Sequence, residues 1–397
     1  MNIKNLVITF CFCLICLHIS AESSVSPDTI HFNLSKDKSQ KNLRFSILGG
    51  PGYTPDFGFL VGGSALFTFK THPSDPNLQR SVLPLSFGLT FSKPFGVNVM
   101  LKPQMFFKED KYRLFGTFLY KNTNDNYYGV GYDRNSTIER GENTQYFSSV
   151  IQINPVMMFK IKDTHFYAGP TIDFNREKIS NPGESVISDP VYIAQGGTNE
   201  GLNINSMGAG AIISYDTRDV ASNAYYGKYF ELKGCYYAKE LGSDFSFGTL
   251  QFDYRQYLSL PSLGERRVLA WNVISKNAFG DVPFSKYPLI GNPFDLRGYY
   301  MGQYRNKSTL VALAEYRHMF NFGNETKAQR FWSRFGFAAW AGAGAMGKNP
   351  VNYERILPNF GAGLRVELQP RMNFRLDVGR SPVDKQTLFY FNMTEAF

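Results

Sequence analysis

Cysteine is scarce in this chain and badly placed for stapling it. Three of the four, Cys11, Cys13 and Cys16, lie in the first sixteen residues, and only Cys235 follows. No internal disulfide is therefore expected in a processed chain. The five histidines, His18, His31, His72, His165 and His318, are scattered, and none forms a metal-ligand spacing with a cysteine or a second histidine. No metal or other cofactor is expected. Past residue 21 no run of eighteen apolar residues occurs, which excludes a transmembrane helix. The formal net charge is +9, yet there is no basic cluster or nucleic-acid motif, so nucleic acid is not an expected partner. Attraction to anionic lipid headgroups, or simple loop charge, suits the excess better.

Catalytic signatures are equally thin. Gly342-Ala-Gly344-Ala-Met-Gly347 spells GxGxxG, but Lys348-Asn349-Pro350 follows where a dinucleotide site needs a helix. Small residues on a strand wall, against which another group packs closely, are the better reading. Gly62-Gly63-Ser64-Ala65 lacks the last glycine and the helix of a nucleophile elbow. Asn122 to Asn126 is read as a polar outer turn with calcium as the sharper alternative. The chain is not expected to be an enzyme.

What is abundant is aromatic: 36 Phe and 24 Tyr beside 36 Gly, with a mean hydropathy of only −0.26. Many aromatics at low mean hydropathy fit strands with one apolar and one polar face. Leu85-Ser-Phe87-Gly-Leu89-Thr-Phe91 and Leu250-Gln-Phe252-Asp-Tyr254 alternate in this way. Alternation alone leaves a soluble sandwich and a membrane barrel both open. Residues 1–21 have the form of a secretory signal, with Lys4, an apolar stretch from Leu6 to Ile19 and Ser20-Ala21 before the cut. Residues 22–42 are a polar tether, and 43–397 form one domain.

The stretch from Phe279 to Arg317 contains a long, aromatic, Pro- and Gly-rich loop without strand or helix periodicity. Its centre, Leu296-Arg297-Gly298-Tyr299, resembles the signature of the BamA/TamA family of outer-membrane proteins, the bacterial surface antigen superfamily. Gly280, Pro283-Phe284 and Gly291-Asn292 before it, and Glu315 with Arg317 after it, match at the same spacings. The resemblance implies an all-β transmembrane antiparallel barrel of about sixteen strands in the Gram-negative cell outer membrane, with this loop folded into the lumen. It implies strands near 43–51, 57–70, 80–92, 95–109, 111–122, 143–160, 163–177, 203–216, 227–240, 244–258, 265–277, 308–320, 330–345, 358–368, 371–380 and 386–397. The longest connections, 123–142, 178–202, 278–307 and 346–357, then all fall on the outer side.

The resemblance also implies a wall carboxylate for Arg297. Gly342 stands where relatives carry that acid, so Asp377, ahead of Glu315, is the expected partner. Asp216, Arg218 and Asp219 are read as a structural turn with an ion pair. Gly49, Gly50 and Pro51 in the first strand are expected to meet a last strand ending in Phe397, forming a weak lateral seam, with an outer turn that simply needs Pro and Gly as the equal alternative. Glu395 departs from the apolar residue usual near the end of such a strand. The tether is too short for the periplasmic repeats of longer relatives. The implied role is outer-membrane protein assembly, translocation or lipid insertion, with outer-membrane lipids and periplasmic or outer-membrane proteins as partners. A passive pore or structural surface antigen is the alternative.

Overall fold

The computed structural model describes residues 42–76, 78–91, 95–221, 223–369 and 371–397. The expected signal and all of the tether except Asn42 lie outside them. The strands are β1 (Arg44–Thr54), β2 (Gly58–Phe69), β3 (Ser81–Thr90), β4 (Gly96–Leu101), β5 (Gln104–Phe107), β6 (Tyr112–Asn126), β7 (Gln145–Lys160), β8 (Phe166–Ser180), β9 (Gly201–Asp216), β10 (Gly227–Tyr237), β11 (Phe247–Ser259), β12 (Arg267–Gly280), β13 (Leu289–Ile290), β14 (Tyr304–Arg305), β15 (Ser308–Met319), β16 (Phe335–Asn349), β17 (Asn352–Gln369), β18 (Met372–Ser381) and β19 (Gln386–Met393). Seventeen form one sheet, in which each strand pairs antiparallel with its sequence neighbour; β13 and β14 pair apart from it. Both β4 and β5 pair with β3 and β6, so they are two halves of one crossing and the wall has sixteen. The break falls at Lys102-Pro103, where proline has no N–H for the ladder, and it corrects the single strand expected at 95–109.

The burial pattern decides between sandwich and membrane barrel. In β18, Asn373, Arg375, Asp377 and Ser381 are buried, while Met372, Phe374, Leu376 and Val378 between them are partly exposed. Phe45, Ile47, Phe59, Phe87 and Phe391 are exposed, whereas Ser148, Asp173, Asn272 and Glu315 are buried. A water-soluble fold places these classes the other way round; a lipid-facing outer wall and a polar interior explain them. Among the described residues no helix is long and apolar enough to cross a membrane.

An even number of crossings puts Asn42 and Phe397 at the same end. The longest connections, 127–144, 181–200 and 281–307, lie at the opposite end, which is the outer one. The expected outer loop 346–357 is only the turn 350–351, because β16 and β17 both run longer than expected. Conversely, 320–334 at the inner end is long and carries a short helix, Lys327–Trp332, capped by Thr326 and Gln329. Asn122 to Asn126 belongs to β6 and is not a turn.

Candidate functional site: the lumen loop and the seam

The connection from β12 to β15 turns back into the barrel. Its neck is closed by the β13–β14 ribbon. At its tip Asp295 accepts hydrogen bonds from the backbone N–H groups of Gly291 (3.2 Å) and Asn292 (2.9 Å), which folds the chain into a tight turn. Leu296, Arg297 and Tyr299 are all fully buried.

Arg297 donates through Nη1 to Asp377 Oδ2 at 2.8 Å and through Nη2 to Glu315 Oε2 at 2.7 Å. The Trp340 ring lies 3.5 Å from the guanidinium carbon, covering its face. The two carboxylates belong to a larger buried network. Asp377 also receives Arg375 Nη1 and Arg365 Nη1, each at 2.6 Å. Glu315 receives Arg317 Nε at 2.8 Å. Glu395 accepts from Arg365 Nε at 2.9 Å and Asn373 Nδ2 at 2.7 Å. Four guanidiniums thus share three side-chain carboxylates, and each has one buried nitrogen beyond hydrogen-bond reach of a protein acceptor: Arg297 Nε, Arg317 Nη1, Arg375 Nε and Arg365 Nη2, the last 3.8 Å from Glu315 Oε1.

Gly298 and Gly379 allow the loop to touch the wall backbone. Gly298 has φ +113°, and a Cβ there would stand 2.7 Å from the carbonyl carbon of Arg380; one on Gly379 would stand 2.6 Å from that of Arg297. A Cβ on Gly344 would stand 2.3 Å from Leu296 Cδ1. That close packing accounts for the glycine pattern of β16, and Gly342 leaves room for Leu313 of β15. Tyr299 Oη donates to the Pro358 carbonyl at 2.7 Å. The turn residues selected from sequence do meet: Arg218 bonds Asp216 (2.9 Å), while Asp219 pairs with Arg371.

The seam lies between β1 and β19. These strands lie side by side, but the backbone ladders of the described residues join β1 only to β2 and β19 only to β18. Gly49, Gly50 and Pro51 sit in mid-strand opposite Gly63, Gly62 and Val61; β1 continues to Thr54 rather than ending with them. Phe397 is not a seam residue, which corrects the expected strand 386–397. Thr394 adopts φ +66° and turns the chain inward after β19. Arg365 and Asn373 hold Glu395, and Arg317 Nη2 donates to the main-chain oxygen of Phe397 at 2.9 Å. Glu395 is acidic because it is a lumen ligand of arginine and not a lipid-facing strand position.

The loop contacts both sides of this seam. The Gly298 N–H donates to Tyr390 Oη of β19 at 2.8 Å, and Tyr390 donates in turn to the Tyr299 carbonyl at 3.2 Å. On the other side, the Met301 N–H donates to Asp56 Oδ1 in the β1–β2 turn at 2.8 Å. Arg140 of the β6–β7 connection donates to the Pro55 and Asp56 carbonyls at 2.5 and 2.7 Å. Burial pushes the Asp56 carboxyl up to about 6, against the opposing pull of the Met301 N–H and Arg140. Sequence reasoning missed Tyr390 and Asp56, which stand in no motif that marks them, and the stacking role of Trp340, the aromatic two residues before Gly342.

Residues 63–397 match the family described as the Omp85 superfamily domain. The chain belongs to the Omp85 superfamily. As an Omp85 barrel it is an integral outer-membrane protein. Its fold is similar to that of BamA from Haemophilus ducreyi lacking POTRA domains 1–3, at 15% identity over 88% of this chain and 70% of that one, with a TM-score of 0.59. It is also similar to CdiB from Acinetobacter baumannii (12% identity, 89% of this chain and 60% of that one, TM-score 0.52). CdiB from Escherichia coli gives 10% identity over 90% and 63%, with a TM-score of 0.55. This Omp85 chain thus spans less than two thirds of either CdiB chain. Among curated proteins none matches it.

Proposed function

We propose that this Omp85 barrel passes or inserts protein segments at the outer membrane through the β1–β19 seam, in a non-enzymatic role. The observation that carries the reading is that, among the described residues, no backbone ladder joins the two strands, beside a β1 that holds Gly49, Gly50 and Pro51. A strand without backbone partners on one edge is a template for an incoming strand. Pro51 has no N–H and the glycines pack little, which keeps mutual pairing weak. The returning loop is anchored inside the barrel against β15–β18, so a lateral route accommodates a client better than an axial one. Partners are lipids of the outer membrane and proteins that deliver the client.

Locking the seam tests this. Cysteine pairs joining Phe45 or Ile47 of β1 to Phe389 or Phe391 of β19, all exposed on the outer wall, are introduced with Cys235→Ser. Oxidised pairs should abolish the function that loss of the gene removes, and reduction should restore it. A locked barrel that sustains normal outer-membrane composition overturns the proposal and leaves a structural role.

A further inference from the structure

The inner-end connection between β15 and β16 carries more aromatic surface than a turn needs. Phe322, Phe331 and Trp332 are 54%, 53% and 55% exposed. Phe331 and Trp332 pack edge to face at 5.3 Å, and Trp332 lies 5.5 Å from Phe335. Phe335 and Phe337 alternate with the buried, lumen-side Ala338 and Trp340, so they belong to the lipid-facing side of β16. Phe337 in turn stacks on His318 at 4.8 Å and contacts Phe320 at 6.2 Å. The exposed rings of the turn therefore continue the lipid-facing wall past the end of the strands. They are not an isolated patch in water.

Cations stand around these rings. Lys327, Arg330 and Arg334 are exposed, with Glu325 the acid of the same turn. From the neighbouring turn, Glu265 is held by Asn321 Nδ2 at 2.8 Å, and Arg267 donates to the Glu265 carbonyl at 2.6 Å. Arg330 Nη1 is bound to the Asn324 carbonyl at 2.8 Å. Lys327 and Arg334 join no ion pair among the described residues. Rings at the depth of the lipid interface with free cations just beyond them suit a negatively charged headgroup.

We infer that this turn binds anionic glycerophospholipid in the membrane leaflet facing the periplasm. The phosphate sits between Lys327 and Arg334, and the glycerol and upper acyl carbons lie against Phe331 and Trp332. A periplasmic protein docking on the same rings is the competing occupant. Continuity with the lipid-facing wall favours lipid. The inference is independent of the seam.

The tryptophans make the test selective. Of three, Trp340 stacks on Arg297 in the lumen and Trp271 is nearly covered, leaving Trp332 exposed. The full chain carrying Trp271→Phe is folded into phosphatidylcholine vesicles with a minor fraction of phosphatidylglycerol, and bromine is placed on the acyl chains of one lipid at a time. A Trp332→Phe sample supplies the Trp340 background. At equal mole fraction, brominated phosphatidylglycerol should quench Trp332 more than brominated phosphatidylcholine does. The preference should fall about fivefold per cation removed, tested with Lys327→Gln and Arg334→Gln. Equal quenching by both lipids overturns the headgroup assignment. No quenching by either means the rings face water or a protein, which overturns the proposal as a whole.

Discussion

In the buried network around the loop tip, acceptors are in short supply, and this fixes which substitution hurts more. Arg297→Ala removes one of four guanidiniums. Asp377 still holds Arg365 and Arg375, and Glu315 still holds Arg317. Asp377→Asn is a smaller change in shape, yet it withdraws the charge and one of the two oxygens that three guanidiniums share, and leaves four cations on Glu315 and Glu395. Its new amide N–H groups also face donors. Breaking a buried ion pair costs about 3–5 kcal/mol. Arg297→Ala should sit near the lower limit, since the surplus cation is the one lost, and Asp377→Asn at or beyond the upper one. The readout is the temperature at which the folded, fast-migrating gel band converts to the unfolded form, a measure of kinetic stability. Asp377→Asn should convert at the lower temperature, and adding Arg375→Gln should recover part of the loss. Earlier conversion of Arg297→Ala than of Asp377→Asn would refute the claim that carboxylates are limiting.

Three further outcomes follow from the loop and the seam. Asp56 has a folded-state value raised from an ordinary 3.8 to about 6, so its contribution is fully present below pH 3.8 and is lost as pH rises through about 6. The shift corresponds to about 3 kcal/mol; Asp56→Asn should therefore stabilise the barrel at pH 7 and flatten the difference profile between pH 4 and 7, read by the same band conversion. Tyr390→Phe leaves the buried Gly298 N–H without its acceptor, an expected loss of about 1–3 kcal/mol, and amide exchange at the loop tip should speed up while that of β7 does not. Deleting residues 288–305 should raise single-channel conductance in planar bilayers sharply, because the removed segment lies inside the barrel; unchanged conductance would show the barrel blocked elsewhere.

The strand wall was legible because its signal is local. Period-two alternation places Arg375 and Asp377 on one face whatever the rest of the chain does, and the boundaries of β7, β9 and β15 fall within a few residues of expectation. The returning loop was legible through a motif with spacing. What escaped depends on single backbone angles or on contacts remote in sequence. Phe397 falls in the outward register of Phe389 and Phe391 although the charged Glu395 breaks the apolar pattern, and it is the positive φ of Thr394 that takes the last residues out of the wall. The missing acid at Gly342 looked like a lost partner for Arg297. In the fold, Asp377 and Glu315 take the edge of the guanidinium and Trp340 takes its face, so nothing is lost. Asp56 meets Met301 across 245 positions, which no periodicity records.

These contacts bear on how the barrel stays shut when no ladder joins β1 to β19 among the described residues. The Leu296-to-Met301 segment binds β19 through Tyr390 and the tip of the β1–β2 hairpin through Asp56, and Arg140 holds the same tip from the β6–β7 connection. Closure is thus assigned to side chains and a loop crossing the seam from inside, whereas a continuous sheet would assign it to many backbone bonds. A ladder opens only by breaking several hydrogen bonds in register. A clasp made of one tyrosine hydroxyl, one carboxylate and one arginine opens by releasing a few groups at its outer end, while Arg297 and its carboxylates remain in place as the fixed anchor. The turn inward at Thr394 works in the same direction, because it ends β19 at Met393 and shortens the edge available to β1. A barrel arranged in this way can yield at one wall without losing its core, which is the mechanical property that lateral passage of a client requires.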